Sequence, residues 1–258
     1  MTETARVNWV LLRGLTRQSG HWGDFALALQ NALPGANVVV LDLPGNGSLR
    51  HLRSPWSIAQ MVESCRATLR NQGCTPPYAV LAMSMGAMVT AQWAHTVPQE
   101  LAAAVLVNTS FRPFNPVYQR LRPRNYGSLL RMLLLRPSDE TQERTVLHMT
   151  SNHPERHQAA LADWIAMHQR HPVSAGNALR QLAAAARFRA HLQAPLCPVL
   201  LLGSERDRLV NVACTRAIAQ RWASPMALHP DAGHDLPLDA PQWVIEQVRP
   251  LHQRLTGL

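Results

Sequence analysis

Three side chains in this 258-residue sequence have the types and surroundings for nucleophilic chemistry at a carbonyl: Ser84, Asp207 and His234. Ser84 sits in the run YAVLAMSMGAMV (Tyr78–Val89), where an apolar, strand-like stretch meets a small-x-Ser-x-Gly turn and continues as an apolar helix. A serine in such a turn is held in a strained backbone conformation that lifts its hydroxyl clear of the sheet. Strand and helix nearly touch there, so only small residues fit two positions to either side. Here these are Ala82, where Gly is usual, and Gly86. The alternative for the same stretch is an ordinary strand-to-helix connection in which Ser84 caps the helix.

A serine hydroxyl is a weak nucleophile until a base takes its proton. His234 is the candidate base: it follows Ala232-Gly233, whose small side chains permit a tight loop reaching towards Ser84. Asp207 is the candidate partner for the other imidazole nitrogen, fixing the tautomer and stabilising the imidazolium. Glu205, earlier in the same loop, and Asp231 are rivals for that role, with Asp207 preferred.

These residues must be positioned by elements the sequence also signals. Val7–Arg13, Asn37–Asp42, the run before Ser84, Leu101–Val107, Leu196–Gly203 and Met226–His229 are strand-like runs ending in turns. Helical spacing covers His21–Leu33, through Trp22, Phe25, Leu29 and Leu33. It also covers Ser57–Gln72, through Ile58, Met61, Val62, Cys65 and Leu69. Alternating strands and helices imply a parallel sheet covered on both faces. Ser84, Asp207 and His234 each follow a strand.

That order, with Arg13-Gly14-Leu15 after the first strand and Asp42-Leu43-Pro44-Gly45-Asn46-Gly47 after the second, resembles the α/β-hydrolases over nearly the whole chain. The resemblance implies an α/β fold with a mainly parallel sheet of about six strands flanked by helices. The N-terminal hairpin of longer members is expected to be missing. It implies two backbone donors for an oxyanion, the N–H of Leu15 and of Met85. It puts Arg13 where many members carry histidine, with its guanidinium expected to bridge loop carbonyls. Leu15 and Met85 are expected to line an acyl pocket, and Trp22 and Met83 to belong to the core. Within the superfamily the chain resembles the small capped enzymes, such as pimeloyl carrier-protein methyl ester esterases and menaquinone-pathway lyases.

After Ser110 the alternation stops. Residues 111–194 carry only helical patterns broken by prolines: Ser128–Leu135, Asp139–Met149, Pro154–Gln169 and Ser174–His191. The expected organisation is therefore a core of residues 1–110 and 195–258 with a helical cap inserted at 111–194, above Ser84. This segment holds twelve arginines, among them Arg120, Arg124 and Arg136, against five acidic residues, a surplus of +7 out of a formal net charge of +9. All 25 basic residues are arginine, as a GC-biased coding sequence would produce. Either the arginines are a solvated face with that bias, or they form an electropositive rim for an anionic substrate or an acidic carrier protein.

The remaining signals exclude several classes. At 47% hydrophobic and 16% charged, the chain has the composition of a folded protein with a large core. No stretch approaches a membrane span, and no leader pattern opens the sequence, so cytoplasm is the default compartment. Cys65, Cys74, Cys197 and Cys214 lack metal or redox spacing and read as buried thiols in helices and a strand. No nucleic-acid motif accompanies the arginines, and no GxGxxG opens a βα unit, so neither nucleic acid nor a dinucleotide cofactor is expected. His153/His157 and His168/His171 lack a third ligand spacing and read as exposed cap histidines, not a metal site. No cofactor is called for, and oligomeric state has no signal. The chemistry expected is cleavage of a carboxylic ester by a serine hydrolase through an acyl-enzyme. Thioester or carbon–carbon cleavage, an eliminating lyase and a non-hydrolytic small-ligand receptor are the alternatives.

Overall fold

The computed structural model describes residues 6–257 except Arg136, so that member of the insert's arginines lies outside the described residues. Six strands, β1 (Val7–Leu12), β2 (Ala36–Leu41), β3 (Tyr78–Met83), β4 (Leu101–Val107), β5 (Val199–Ser204) and β6 (Met226–His229), form one sheet. All neighbours run parallel, in the order β2-β1-β3-β4-β5-β6.

Parallel pairing requires a crossover between successive strands, and helices supply each one, with two more helices after β6. They are α1 (Phe25–Ala32), α2 (Ile58–Asn71), α3 (Met85–Thr96), α4 (Val117–Arg120), α5 (Tyr126–Leu135), α6 (Asp139–Thr150), α7 (Gln158–Arg170), α8 (Ala175–Arg187), α9 (Ala213–Trp222), α10 (Leu236–Asp239) and α11 (Pro241–Thr256). Side chains alternate across a strand, and the core divides accordingly. Val10, Leu12, Val80, Ala82, Ala104 and Leu106 face α2, α3 and α9. Trp9, Leu11, Leu81, Met83, Val105 and Val107 face α1 and α11. The predicted face of α2, from Ile58 to Leu69, is the buried one. His21–Leu33 is not one helix: a 3-10 turn covers Ser19–Trp22, Gly23 turns the chain at φ 50°, and α1 begins at Phe25.

Between β4 and β5 lie α4 to α8. The only β feature there among the described residues is a bridge between Arg112 and Arg189. Arg120 is not a rim residue. It is buried and donates to the carbonyls of Ala185 and Ala186, at 2.7 and 3.4 Å, tying α4 to the end of α8. Cys65 and Cys214 are buried and Cys74 and Cys197 half-buried, all free thiols; Cys74 and Cys197 lie in loops. No described helix is long and apolar enough to cross a membrane.

The contact between β1 and α3 sets the geometry around Ser84. A Cβ at Gly86 would lie 2.6 Å from the Arg13 carbonyl oxygen and 2.7 Å from that of Leu12. Backbone cannot yield as a flexible side chain can. Gly86→Val should therefore destabilise the protein by about 1–3 kcal/mol, read as a lower denaturation midpoint with unchanged slope.

Candidate active site

Ser84 links β3 to α3 with φ 53° and ψ −118°, a region L-residues rarely occupy. Its N–H donates to the Val107 carbonyl at 2.9 Å, and Thr109 Oγ1 donates to its carbonyl at 2.8 Å. The strain is thus held from β4 next door. The side chain does not cap α3, which removes the alternative of a simple capping serine. Among the described residues Ser84 Oγ has no hydrogen-bond partner, and it borders the large cavity described below.

The loop after β1 presses against this turn. A Cβ on Gly14 would stand 3.0 Å from Ser84 Cβ and 3.5 Å from Oγ, so a side chain there would crowd the hydroxyl. The N–H of Leu15 has no acceptor among the described residues. Met85 is the first residue of α3, so its N–H has no intrahelical partner either. Thr16, which follows Leu15, has φ 56°, and its N–H donates at 2.8 Å to Gln181 Oε1. Gln181 lies on α8, is fully buried, and also donates to Asn46 Oδ1 and Ser54 Oγ. One insert side chain thus braces the Leu15 loop and the turn after β2. Sequence reading missed Gln181, since a lone glutamine in an Ala-rich helix carries no local signal.

His234 and Asp207 are in contact: His234 Nδ1 is 2.7 Å from Asp207 Oδ2, with both side chains almost fully buried. Asp207 Oδ1 accepts from the N–H of Leu209 and of Val210, at 2.7 and 2.9 Å. The rivals are engaged elsewhere: Glu205 with Arg216, and Asp231 with His153 and Arg206. Asn108, at the end of β4 with φ 44°, donates at 2.8 Å to the His234 carbonyl. It also exchanges hydrogen bonds with Ser204 at the end of β5. Gly233 also serves a packing contact. A Cβ there would lie 2.5 Å from the Thr150 carbonyl oxygen, so its small size lets the end of α6 pack on the His234 loop. Arg13 does not bridge loop carbonyls. It pairs with Asp235 through both terminal nitrogens, at 3.1 and 2.5 Å, and lies 4.9 Å over the Trp22 ring.

Ser84, His234 and the Gly14-Leu15 loop border one cavity of about 800 Å³. Its other walls include Leu129, Met132 and Leu133 of α5, Val146 and Met149 of α6, and Leu179 and Leu182 of α8. Leu15 lines it as expected. Met85 does not: it is buried in the core. Trp22 is core, and Met83 serves both core and cavity wall. None of the described insert arginines lines the cavity; Arg13 and Arg17, both from the β1 loop, do.

The four paired histidines are not exposed surface groups. His153 Nε2 lies 2.7 Å from Asp231, His157 Nε2 3.0 Å from Asp239, His168 Nδ1 2.8 Å from Glu143, and His171 Nδ1 3.1 Å from Gln18. Three of these contacts join the insert to the rest of the chain. Among the described residues no three His, Cys, Asp or Glu side chains are grouped to hold a metal. The hydrogen bond to Glu143 raises the His168 pKa, against the opposing effect of burial. Burial alone would raise the Glu143 carboxyl, but Arg17 and His168 together hold it below its ordinary value. A histidine whose folded pKa is raised contributes fully below its unfolded pKa and loses the contribution as pH rises through the folded value. The Tm difference between wild type and His168→Gln should therefore be larger at about pH 6 than at about pH 9.

The chain is similar to known proteins in fold and in family. An esterase, RhEst1, from Rhodococcus sp. ECU1013 is 20% identical, with TM-score 0.79 over 97% of this chain and 91% of that one. A thermophilic esterase from Thermogutta terrifontis, malate bound, is 20% identical, with TM-score 0.75 over 98% and 92%. A hydrolase from Pseudomonas aeruginosa PA01 is 19% identical, with TM-score 0.77 over 94% and 88%. At these identities the likeness shows the fold. No protein of curated function matches the chain. Residues 3–240 match the family model described as "Serine aminopeptidase, S33". That span includes every residue of the site, and the chain belongs to this family of α/β-hydrolases.

Proposed function

We propose that the protein is a serine hydrolase cleaving a carboxylic ester through an acyl-enzyme on Ser84. The observation that carries this reading is a strained serine beside two unengaged N–H groups, sharing one cavity with a buried His–Asp pair. With the Nδ1 proton held by Asp207, His234 Nε2 is free to act as base. Ser84 Oγ attacks the ester carbon as His234 takes its proton. The oxyanion forms against the N–H of Leu15 and Met85. The intermediate collapses as His234 returns the proton to the leaving alkoxide. Water then repeats the sequence on the acyl-enzyme and releases the carboxylic acid. The Ser84–His234 hydrogen bond is to form with substrate in place, as such bonds commonly tighten only in the complex.

The leucine-lined cavity favours an ester with an extended apolar portion. Thioesters undergo the same attack, so the test uses both classes. Incubation with a fluorophosphonate should label Ser84, and p-nitrophenyl esters and matched thioesters of increasing chain length should be ranked by kcat/KM. A folded protein that neither labels nor hydrolyses any member would overturn the reading in favour of a ligand-binding role.

A further inference from the structure

The apolar cavity has a polar annex. Arg17, Gln142 and His168 line both the main cavity and an adjoining chamber of about 50 Å³, whose further walls include His21, Glu143 and His171. The Arg17 side chain is nine-tenths buried, with its guanidinium 4.3 Å over the Trp164 ring and Nη1 2.5 Å from Glu143 Oε2. Its Nη2 is buried and has no partner among the described residues; neither has His21 Nε2. Burial first, then Arg17 and Arg13, pushes the His21 pKa well below its ordinary value, so the ring is neutral. His21 Nδ1 lies 3.1 Å from the Gln18 N–H and 3.2 Å from the Gln18 carbonyl oxygen. That carbonyl already accepts from the His21 N–H, whereas the Gln18 N–H has no other acceptor among the described residues, so the ring proton is assigned to Nε2. Two donors on the chamber's wall are therefore unspent, and buried donors are strongly disfavoured without an acceptor.

With His168 protonated, two cations, Arg17 and His168, face the single buried carboxylate of Glu143, a balance that favours an anion. Asp139, 3.6 Å from His168 Nε2, is half-exposed and screened by solvent. The buried groups are Glu143 against Arg17 and, when protonated, His168. Arg13, the other arginine of the cavity, has both terminal nitrogens engaged by Asp235. The location also suits a substrate group. Gly14 abuts Ser84, and the Arg17 N–H returns to the Gly14 carbonyl at 3.3 Å, so a single tight turn separates Arg17 from the serine.

Resting on the ester-hydrolase reading, we infer that this chamber is a subsite for one carboxylate of the substrate, carried a short tether from the scissile carbonyl. Arg17 Nη2 supplies the charge-assisted hydrogen bond and His21 Nε2 a second one. The preferred substrates are then monoesters of short dicarboxylic acids, or esters of short hydroxy acids.

The test compares monoethyl adipate with ethyl heptanoate, and 4-acetoxybutyrate with pentyl acetate, which puts the carboxylate on the acyl and the alcohol side in turn. At least one carboxylate ester should exceed its neutral counterpart in kcat/KM by about tenfold or more, and Arg17→Met should cut that ratio by about tenfold, a loss of ~1.4 kcal/mol. His21→Phe retains the aromatic contact with Trp164, which is 5.4 Å away, and should lower the ratio in the same direction. This second variant keeps the test decisive if removing the partner of Glu143 prevents folding. Calorimetric titration of the Ser84→Ala protein with the same four compounds reads the subsite without turnover, so a failure of hydrolysis is separated from a failure of the subsite. Equal kcat/KM and equal binding for charged and neutral members of both pairs would overturn the inference. So would a preference insensitive to both variants. The chamber would then hold water alone.

Discussion

Ser84→Ala is expected to lower ester hydrolysis by at least about a thousandfold in kcat, in a protein that melts like the wild type. The backbone around Ser84 is held by Val107 and Thr109 rather than by its own hydroxyl, so losing Oγ leaves the turn in place. What disappears is the only atom of that turn able to form the acyl intermediate. The two N–H donors remain and can still polarise a carbonyl, so slow hydrolysis by water is the expected residue of activity. The measurement is single-turnover kinetics on purified protein, with fluorophosphonate labelling of the same preparation as control. Retention of a tenth of wild-type activity would remove Ser84 from the mechanism.

Asp207→Asn should cost on the order of 10³–10⁴ in kcat, whereas Glu205→Gln and Asp231→Asn should each cost less than about tenfold. The hydrogen bonds of Asp207 give the reason. Its Oδ1 accepts from two backbone N–H groups, so an asparagine must keep its oxygen there and turn its amide nitrogen towards His234. The imidazole Nδ1 must then accept, which moves the ring proton to Nε2 and removes the base. Glu205 and Asp231 lie in ion pairs at the surface, and their loss leaves the His234–Asp207 contact untouched. Equal, mild effects in all three variants would mean that another group orients the histidine. Structures of the variants would show whether the amide has turned as argued.

The contrast between local and long-range information is visible in particular residues. The buried face of α2, the strands β3 and β4, and the placing of Ser84, Asp207 and His234 just past strands were all legible in the sequence. Apolar periodicity and turn residues act over a few positions, and such signals are written contiguously. Sequence reading missed the break at Gly23: Trp22 and Phe25 keep helical spacing across it, but they stack in the core from a 3-10 turn and from the start of α1.

By itself the sequence determined a parallel α/β sheet, the helical segment between β4 and β5, and a serine, an acid and a histidine in that chain order. Only the tertiary structure decided which charges meet. Arg13 finds Asp235 across 222 positions, and Arg17 finds Glu143 across 126. Gln181 reaches the Thr16 N–H from the insert, and His153, His157 and His171 find acceptors on the core. It also decided that the described insert arginines stay outside the cavity while Arg17 borders it. The physical reason is that a buried charge or amide takes whichever partner the packed chain brings within about 3 Å. That proximity is a property of how the helices cross the sheet, which local periodicity does not encode.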